Sequence, residues 1–240
     1  MDLDFSIGAM DFGVYDSDFS LEGFDRRESD DGIQDCRYSP PPAYPAKEVA
    51  YERAVEFCEQ VELVPGKRTF AFVSGRFILG DVLEAFVDLG VTDYRSITIQ
   101  TLSMSEDNVD SLVNVASMCP GLERVRLVLS DYFYAHERHP GQIVPYIYQE
   151  LDGGAFELQT AFARLHSKVI AFESTQGNKC VIHGSANLRS NRSIEQVCIE
   201  CDPGLYDFVE SFTDRIMGAY ATIDRTKRRP DKVTWDTLKL

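Results

Sequence analysis

Residues 165–173 read Leu165-His166-Ser167-Lys168-Val169-Ile170-Ala171-Phe172-Glu173, and residues 179–187 read Lys179-Cys180-Val181-Ile182-His183-Gly184-Ser185-Ala186-Asn187. Both runs are rich in β-branched and aromatic residues, and we read them as strands over 165–172 and 179–184. On a strand, alternate side chains share a face, so His166 and Lys168 project together. Ser185 and Asn187 share a face at the end of the following strand, and Glu195 follows eight residues later. An imidazole, an ammonium, an amide and a hydroxyl converging at strand ends form a cage for phosphate. Lys168 supplies charge, Ser185 and Asn187 supply donors, and His166 is a nucleophile able to accept phosphorus. The carboxylate of Glu195 is expected to hold the His166 Nδ1–H and set its tautomer.

Working outward, the chain alternates helical and extended periodicities. Helices are expected over 47–61 (Ala50, Ala54, Phe57 and Val61 on one stripe), 78–89 (Leu79, Val82, Leu83, Phe86 and Val87 inward), 105–118 and 143–151. A closing helix is expected over 204–223, burying Leu205, Phe208, Val209, Phe212, Ile216 and Tyr220. Further strands are expected over 68–74 (closed by Gly75), 96–102, 125–129, 156–162 and around 196–200. Strands alternating with helices imply an α/β domain over residues 46–223: a mixed, mostly parallel sheet with helices on both faces.

The 240 residues carry a formal net charge of −15, and its distribution is uneven. Residues 1–40 hold eleven acids against Arg26, Arg27 and Arg37, a net of −8. Such a stretch cannot bury enough apolar surface to offset its ordering entropy, so residues 1–45 are expected to be a disordered acidic tail ending in a stiff spacer, Pro40-Pro41-Pro42-Ala43-Tyr44-Pro45. Phe5, Phe12, Tyr15, Phe19 and Phe24 alternate with the acids. Residues 1–35 are therefore either a solubilising tail or a segment that binds a partner, protein or cationic groove. Residues 224–240 form a basic tail with Arg225, Lys227, Arg228, Arg229 and Lys232. No apolar run reaches the roughly 18 residues of a membrane span, and the acidic N-terminus lacks a signal-peptide pattern. A cytoplasmic, reducing location is expected, with the six cysteines as thiols and Cys198-x-x-Cys201 a chance spacing. His136 and His139 have zinc-like spacing but no further ligands, so no metal and no cofactor is expected.

The set His166, Lys168, Gly184, Ser185, Asn187 and Glu195 resembles the His-x-Lys and Gly-Ser-x-Asn motif of the phospholipase D superfamily. Glu173 stands where that motif has Asp. It lies an odd number of residues from His166, hence on the opposite strand face, and reads as a structural acid. The resemblance implies metal-independent phosphodiester cleavage by two histidines, one attacking phosphorus and one protonating the leaving oxygen. It also implies catalytic roles for His166, Lys168, Asn187 and Glu195, and phosphate binding by Lys168, Ser185 and Asn187. The chain carries a single motif, so a complete site requires a second copy: a homodimer with two His166 facing across a twofold axis. His183 either reaches this site to bind substrate or is a packed core histidine. Arg189 and Arg192, beside the cage, are candidate contacts to flanking phosphates, against the reading of a solvated loop.

Phospholipid-acting members of the superfamily generally carry two motifs and a membrane-facing surface, which this chain lacks. Nucleic acid is the favoured substrate and partner, and the acidic tail is expected to compete with it for the cationic groove. The alternative is a non-catalytic module that binds nucleic acid or acts as a scaffold, recruiting a protein partner through the tail.

Overall fold

The sheet is organised around two strands whose every residue, or nearly so, is buried. β2 (Ser96–Thr101) and β3 (Arg124–Ser130) carry Ile97, Ile99, Val125, Leu127 and Leu129 to one face, and Thr98, Gln100, Arg126 and Val128 to the other. Burial on both faces requires cover on both faces, and the chain supplies it. The computed structural model describes residues 47–73, 78–130, 143–188 and 193–220. All belong to the unit Ile33–Leu240. The expected acidic tail (1–45), the basic tail (224–240), His136 and His139, Arg189 and Arg192 lie outside the described residues, wholly or in the part that matters.

In chain order the elements are α1 (Lys47–Cys58), β1 (Arg68–Val73), α2 (Leu79–Asp88), β2, α3 (Glu106–Met118), β3, α4 (Ile143–Leu151), β4 (Glu157–Ala163), β5 (Val169–Glu173), β6 (Lys179–Gly184), β7 (Glu195–Glu200) and α5 (Pro203–Tyr220). The seven described strands form one sheet, ordered β1-β7-β6-β5-β2-β3-β4. The α/β class, the mixed sheet and the helices on both faces agree with the sequence reading. The expected parallel majority does not hold. Only β2–β3 and β3–β4 pair in parallel, whereas β1–β7, β2–β5, β5–β6 and β6–β7 are antiparallel. The reason is connection length: helical crossovers α3 and α4 permit parallel neighbours, but a short turn such as 174–178 can only fold a strand back.

Helices α1 to α4 cover one face. Their Ala54, Phe57, Leu83, Phe86, Val109, Leu112, Val115, Ile147 and Leu151 pack with Ile97, Ile99, Leu127, Phe172 and Ile182 into the main core. α2 and α3 approach closely at Gly80, where an added Cβ would lie 2.8 Å from Ser111 Cβ; the Gly80 N–H donates to Asn108 Oδ1 at 2.9 Å.

α5 covers the other face over β4, β5 and β6. Asp202 caps it, Oδ1 accepting the Gly204 and Leu205 N–H groups at 2.8 and 3.2 Å, with Pro203 pre-set for the first turn. Its buried stripe is Tyr206, Val209, Thr213, Ile216 and Met217, one position round the helix from the expected one. Phe208, expected inward, is 62% exposed. The rotation follows from polar partners that only this register reaches. Tyr206 Oη lies 3.1 Å from Ser96 Oγ, and Thr213 Oγ1 accepts from Gln100 Nε2 at 2.9 Å. Arg126, 2% exposed, donates to Asp214 Oδ1 (2.5 Å), Glu210 and Thr98 Oγ1 (3.1 Å). A buried guanidinium is tolerated only with such a full set of acceptors.

The cysteine expectation needs correction. Cys180 and Cys201 are joined by a disulfide. The register that sets Val181 opposite Glu200 places these two residues opposite each other as well. Cys58, Cys119 and Cys198 are buried thiols. The 198/201 spacing is a coincidence as expected, since Cys198 faces away from Cys201 along β7.

Candidate functional site

The cage residues gather at one end of the sheet, where β1, β2 and β6 finish and β5 and β7 begin. β6 ends in Gly184, and the glycine is required there: a Cβ would sit 1.9 Å from the Gln196 carbonyl oxygen. This close approach sets the next residue. Ser185 donates its backbone N–H to Gln196 O at 3.0 Å, its hydroxyl accepts the Gln196 N–H at 2.9 Å, and the same hydroxyl donates to the Glu195 carboxylate. The Gly-Ser pair thus locks the end of β6 to the start of β7. Asn187 follows on a turn sewn to the end of β2: Leu188 N–H donates to Thr101 Oγ1 at 3.3 Å, and Leu188 O accepts the Ser105 N–H at 2.8 Å. Asn187 Oδ1 is buried, with no hydrogen-bond partner among the described residues. A buried amide oxygen without a donor is costly and marks a place where a partner is due.

His166, Ser167 and Lys168 are not in a strand, contrary to expectation. β5 starts at Val169, because its last pairings on either side are Gln100↔Val169 and Val169↔His183. The tripeptide leads into β5 without strand pairing of its own, and His166 is exposed. Lys168 Nζ nevertheless lies 3.1 Å from His166 Nδ1 and donates to His166 O at 3.0 Å, so the two side chains meet as the spacing implied. The expected partner of Nδ1 is replaced. Lys168 Nζ occupies that position, and the Glu195 carboxylate accepts from Ser185 instead. Partial burial holds the Lys168 ammonium below the ordinary lysine range, with the negative charge of Glu195 acting against the shift.

Sequence reasoning missed how the tripeptide is held. Ser167 Oγ donates to Gln100 Oε1 at 2.9 Å, and Gln100 passes the connection to Thr213 of α5. The available signal was a glutamine within β2, a strand buried throughout; a buried amide there must have partners.

Glu173 lies at the far end of β5, where its backbone oxygen accepts the Arg95 N–H at 2.7 Å and its carboxylate lies 3.8 Å from Arg95 Nη1. It is a structural acid. His183 and Lys168 both line a shallow depression with Gly184, Ala186 and Leu188. His183 is partly exposed rather than packed in the core, and its Nε2 is 2.9 Å from Glu200 Oε1. Among the described residues no helix is long and apolar enough to cross a membrane.

No protein-family model matches the sequence, and no curated protein matches it. Among solved structures, the fold is similar to a phospholipase D family member, Nuc from Salmonella typhimurium, at 17% identity. That match covers 64% of this chain and 95% of that one, with a TM-score of 0.46. NucT from Helicobacter pylori is similar at 16% identity, over 64% of this chain and 98% of that one, with a TM-score of 0.45. Polyphosphate kinase from Porphyromonas gingivalis is similar at 11% identity, over 75% of this chain and 30% of that one, with a TM-score of 0.49.

Proposed function

We infer that the chain is a phospholipase D-type, metal-independent phosphodiesterase acting on nucleic acid as a homodimer. The observation that supports this reading is the gathering of His166, Lys168, Ser185, Asn187 and Glu195 at one end of the sheet, with Lys168 Nζ 3.1 Å from His166 Nδ1 and the Ser185 hydroxyl donating to Glu195. Two copies facing across a twofold axis supply two histidines, two lysines and two asparagines to one phosphate.

An incoming phosphate draws Lys168 Nζ off His166 Nδ1, because an anion is a stronger acceptor for an ammonium than a neutral imidazole is. Once Lys168 has left Nδ1, the imidazole proton passes through solvent from Nε2 to Nδ1; His166 Nε2 then attacks phosphorus and the P–O bond to the leaving group breaks. His166 of the second copy gives its proton to the departing oxygen. A water then attacks the phosphohistidine, losing its proton to that second histidine, and the P–N bond breaks to restore His166. The ammonium and amide donors stabilise the negative charge that builds on the phosphoryl oxygens in both steps.

The test is cleavage of single- and double-stranded DNA in excess chelator by the full chain and by His166→Ala, with the mass of each measured in solution. Chelator-resistant cleavage that vanishes in the variant, from a dimer, is the expected result. A monomeric protein, or DNA binding without cleavage, overturns the enzymatic reading in favour of a binding module.

A further inference from the structure

Three side chains outside the cage bring nitrogen, sulfur and oxygen to one point. On the sheet face that carries α5, the register places His183 of β6 opposite Cys198 of β7, and Glu200 follows Cys198 on the same face of β7. Glu200 Oε1 lies 2.9 Å from His183 Nε2 and 3.6 Å from Cys198 Sγ, and the three atoms are all within 4.8 Å of one another. The other carboxylate oxygen is held by Arg68 Nη2 of β1 at 2.5 Å. The carboxylate is therefore fixed by an outer partner and presents its remaining oxygen to the histidine and the thiol, the arrangement that orients a metal ligand.

We propose that His183, Cys198 and Glu200 form a zinc site with a fourth coordination position open to water. The two separations from the Glu200 oxygen suit it. Zinc bonds of about 2.0–2.3 Å at tetrahedral angles place neighbouring ligand atoms roughly 3.3–3.8 Å apart. The sulfur–oxygen separation already falls in that range, and the nitrogen–oxygen pair needs to open by only about 0.4 Å. The mixed N, S and O donor set favours zinc over magnesium or calcium, which take oxygen ligands. On binding, the Cys198 thiol proton leaves to solvent and the His183 proton comes to reside on Nδ1, freeing Nε2 for the metal. Thiolate and carboxylate together match the charge of the ion, so Arg68 keeps its place. The ion enters past His183, whose side chain is 36% exposed, while Cys198 and Glu200 lie deeper. Occupancy ties β6 to β7 just below Gly184 and Glu195, and the site stands independently of whether the cage cleaves anything.

The test uses the full chain, stripped with chelator and titrated with Co²⁺, whose thiolate complexes absorb in the near ultraviolet. A thiolate-to-cobalt band that saturates at one ion per chain and is bleached by Zn²⁺ is expected. Cys198→Ser removes the band, and Glu200→Gln weakens binding by at least about tenfold while leaving the circular dichroism spectrum unchanged. Absence of the band in the wild-type chain, or its persistence in Cys198→Ser, overturns the proposal. Neither result bears on DNA cleavage by His166.

Discussion

Replacing Gly184 by alanine tests fold and cage together. The added methyl group would lie 1.9 Å from the Gln196 carbonyl oxygen, against an ordinary contact of at least 3.4 Å, so the ends of β6 and β7 must part by about 1.5 Å. Parting them removes two hydrogen bonds, Ser185 N–H to Gln196 O and Gln196 N–H to Ser185 Oγ. Each contributes about 1 kcal/mol, and overpacking of this kind costs about 1–3 kcal/mol more. The expected loss is about 3–5 kcal/mol. For a folded unit of this size that lowers the melting temperature by roughly 6–20 °C. Thermal unfolding followed by circular dichroism at matched protein concentration measures it directly. Ser185 also moves away from Glu195, so DNA cleavage should fall further than the folded fraction does. A melting temperature within about 2 °C of wild type would refute the close approach of the two strands.

The same substitution has the opposite sign on α5. Gly218 is exposed, with open space where a Cβ would go, so Gly218→Ala should stabilise by about 0.5–1 kcal/mol in denaturant titration, and a destabilised variant would contradict its helical setting. Arg126→Met leaves the largely buried Glu210 carboxylate with only Arg124 at 3.3 Å among the described residues and should cost about 3 kcal/mol; an unchanged denaturation midpoint would show that the network contributes nothing net. Burial lowers the Lys168 pKa, so the cage should lose its cation at a lower pH than a surface lysine would. Inorganic phosphate binding, followed by titration calorimetry, should weaken as pH rises through that value. Lys168→Ala should bind weakly at every pH, without the alkaline fall, and an identical pH profile in the variant would assign the titration elsewhere. For stability the sign reverses: the buried ammonium opposes folding at low pH, and this penalty fades as pH rises past the folded pKa.

Much of this architecture is legible in residue order, for local reasons. The spans 179–184 and 143–151 agree with the sequence reading at both ends, and most other boundaries shift by one or two residues. Helix and strand periodicities are short-range, and glycines punctuate them. The Gly-Ser-x-Asn group was legible because glycine and serine do backbone work there. The partner of His166 Nδ1 was not, because a flexible lysine two residues away can reach an atom that a spacing argument assigns to a carboxylate. The disulfide and the pairing of β1 with β7 depend on contacts across more than a hundred residues or on an exact strand register, and composition carries neither. The stripe on α5 was misplaced because hydrophobicity alone ranks Phe208 above Thr213, while the sheet beneath offers Gln100 and Ser96 as polar partners.

The disulfide between Cys180 and Cys201 makes a covalent ring of the segment that contains Gly184, Ser185, Asn187 and Glu195. A protease that severs one peptide bond between β6 and β7 would therefore release nothing. The two pieces would migrate together until a reductant is added and separately afterwards, so the integrity of this connection can be read from a pair of gel lanes.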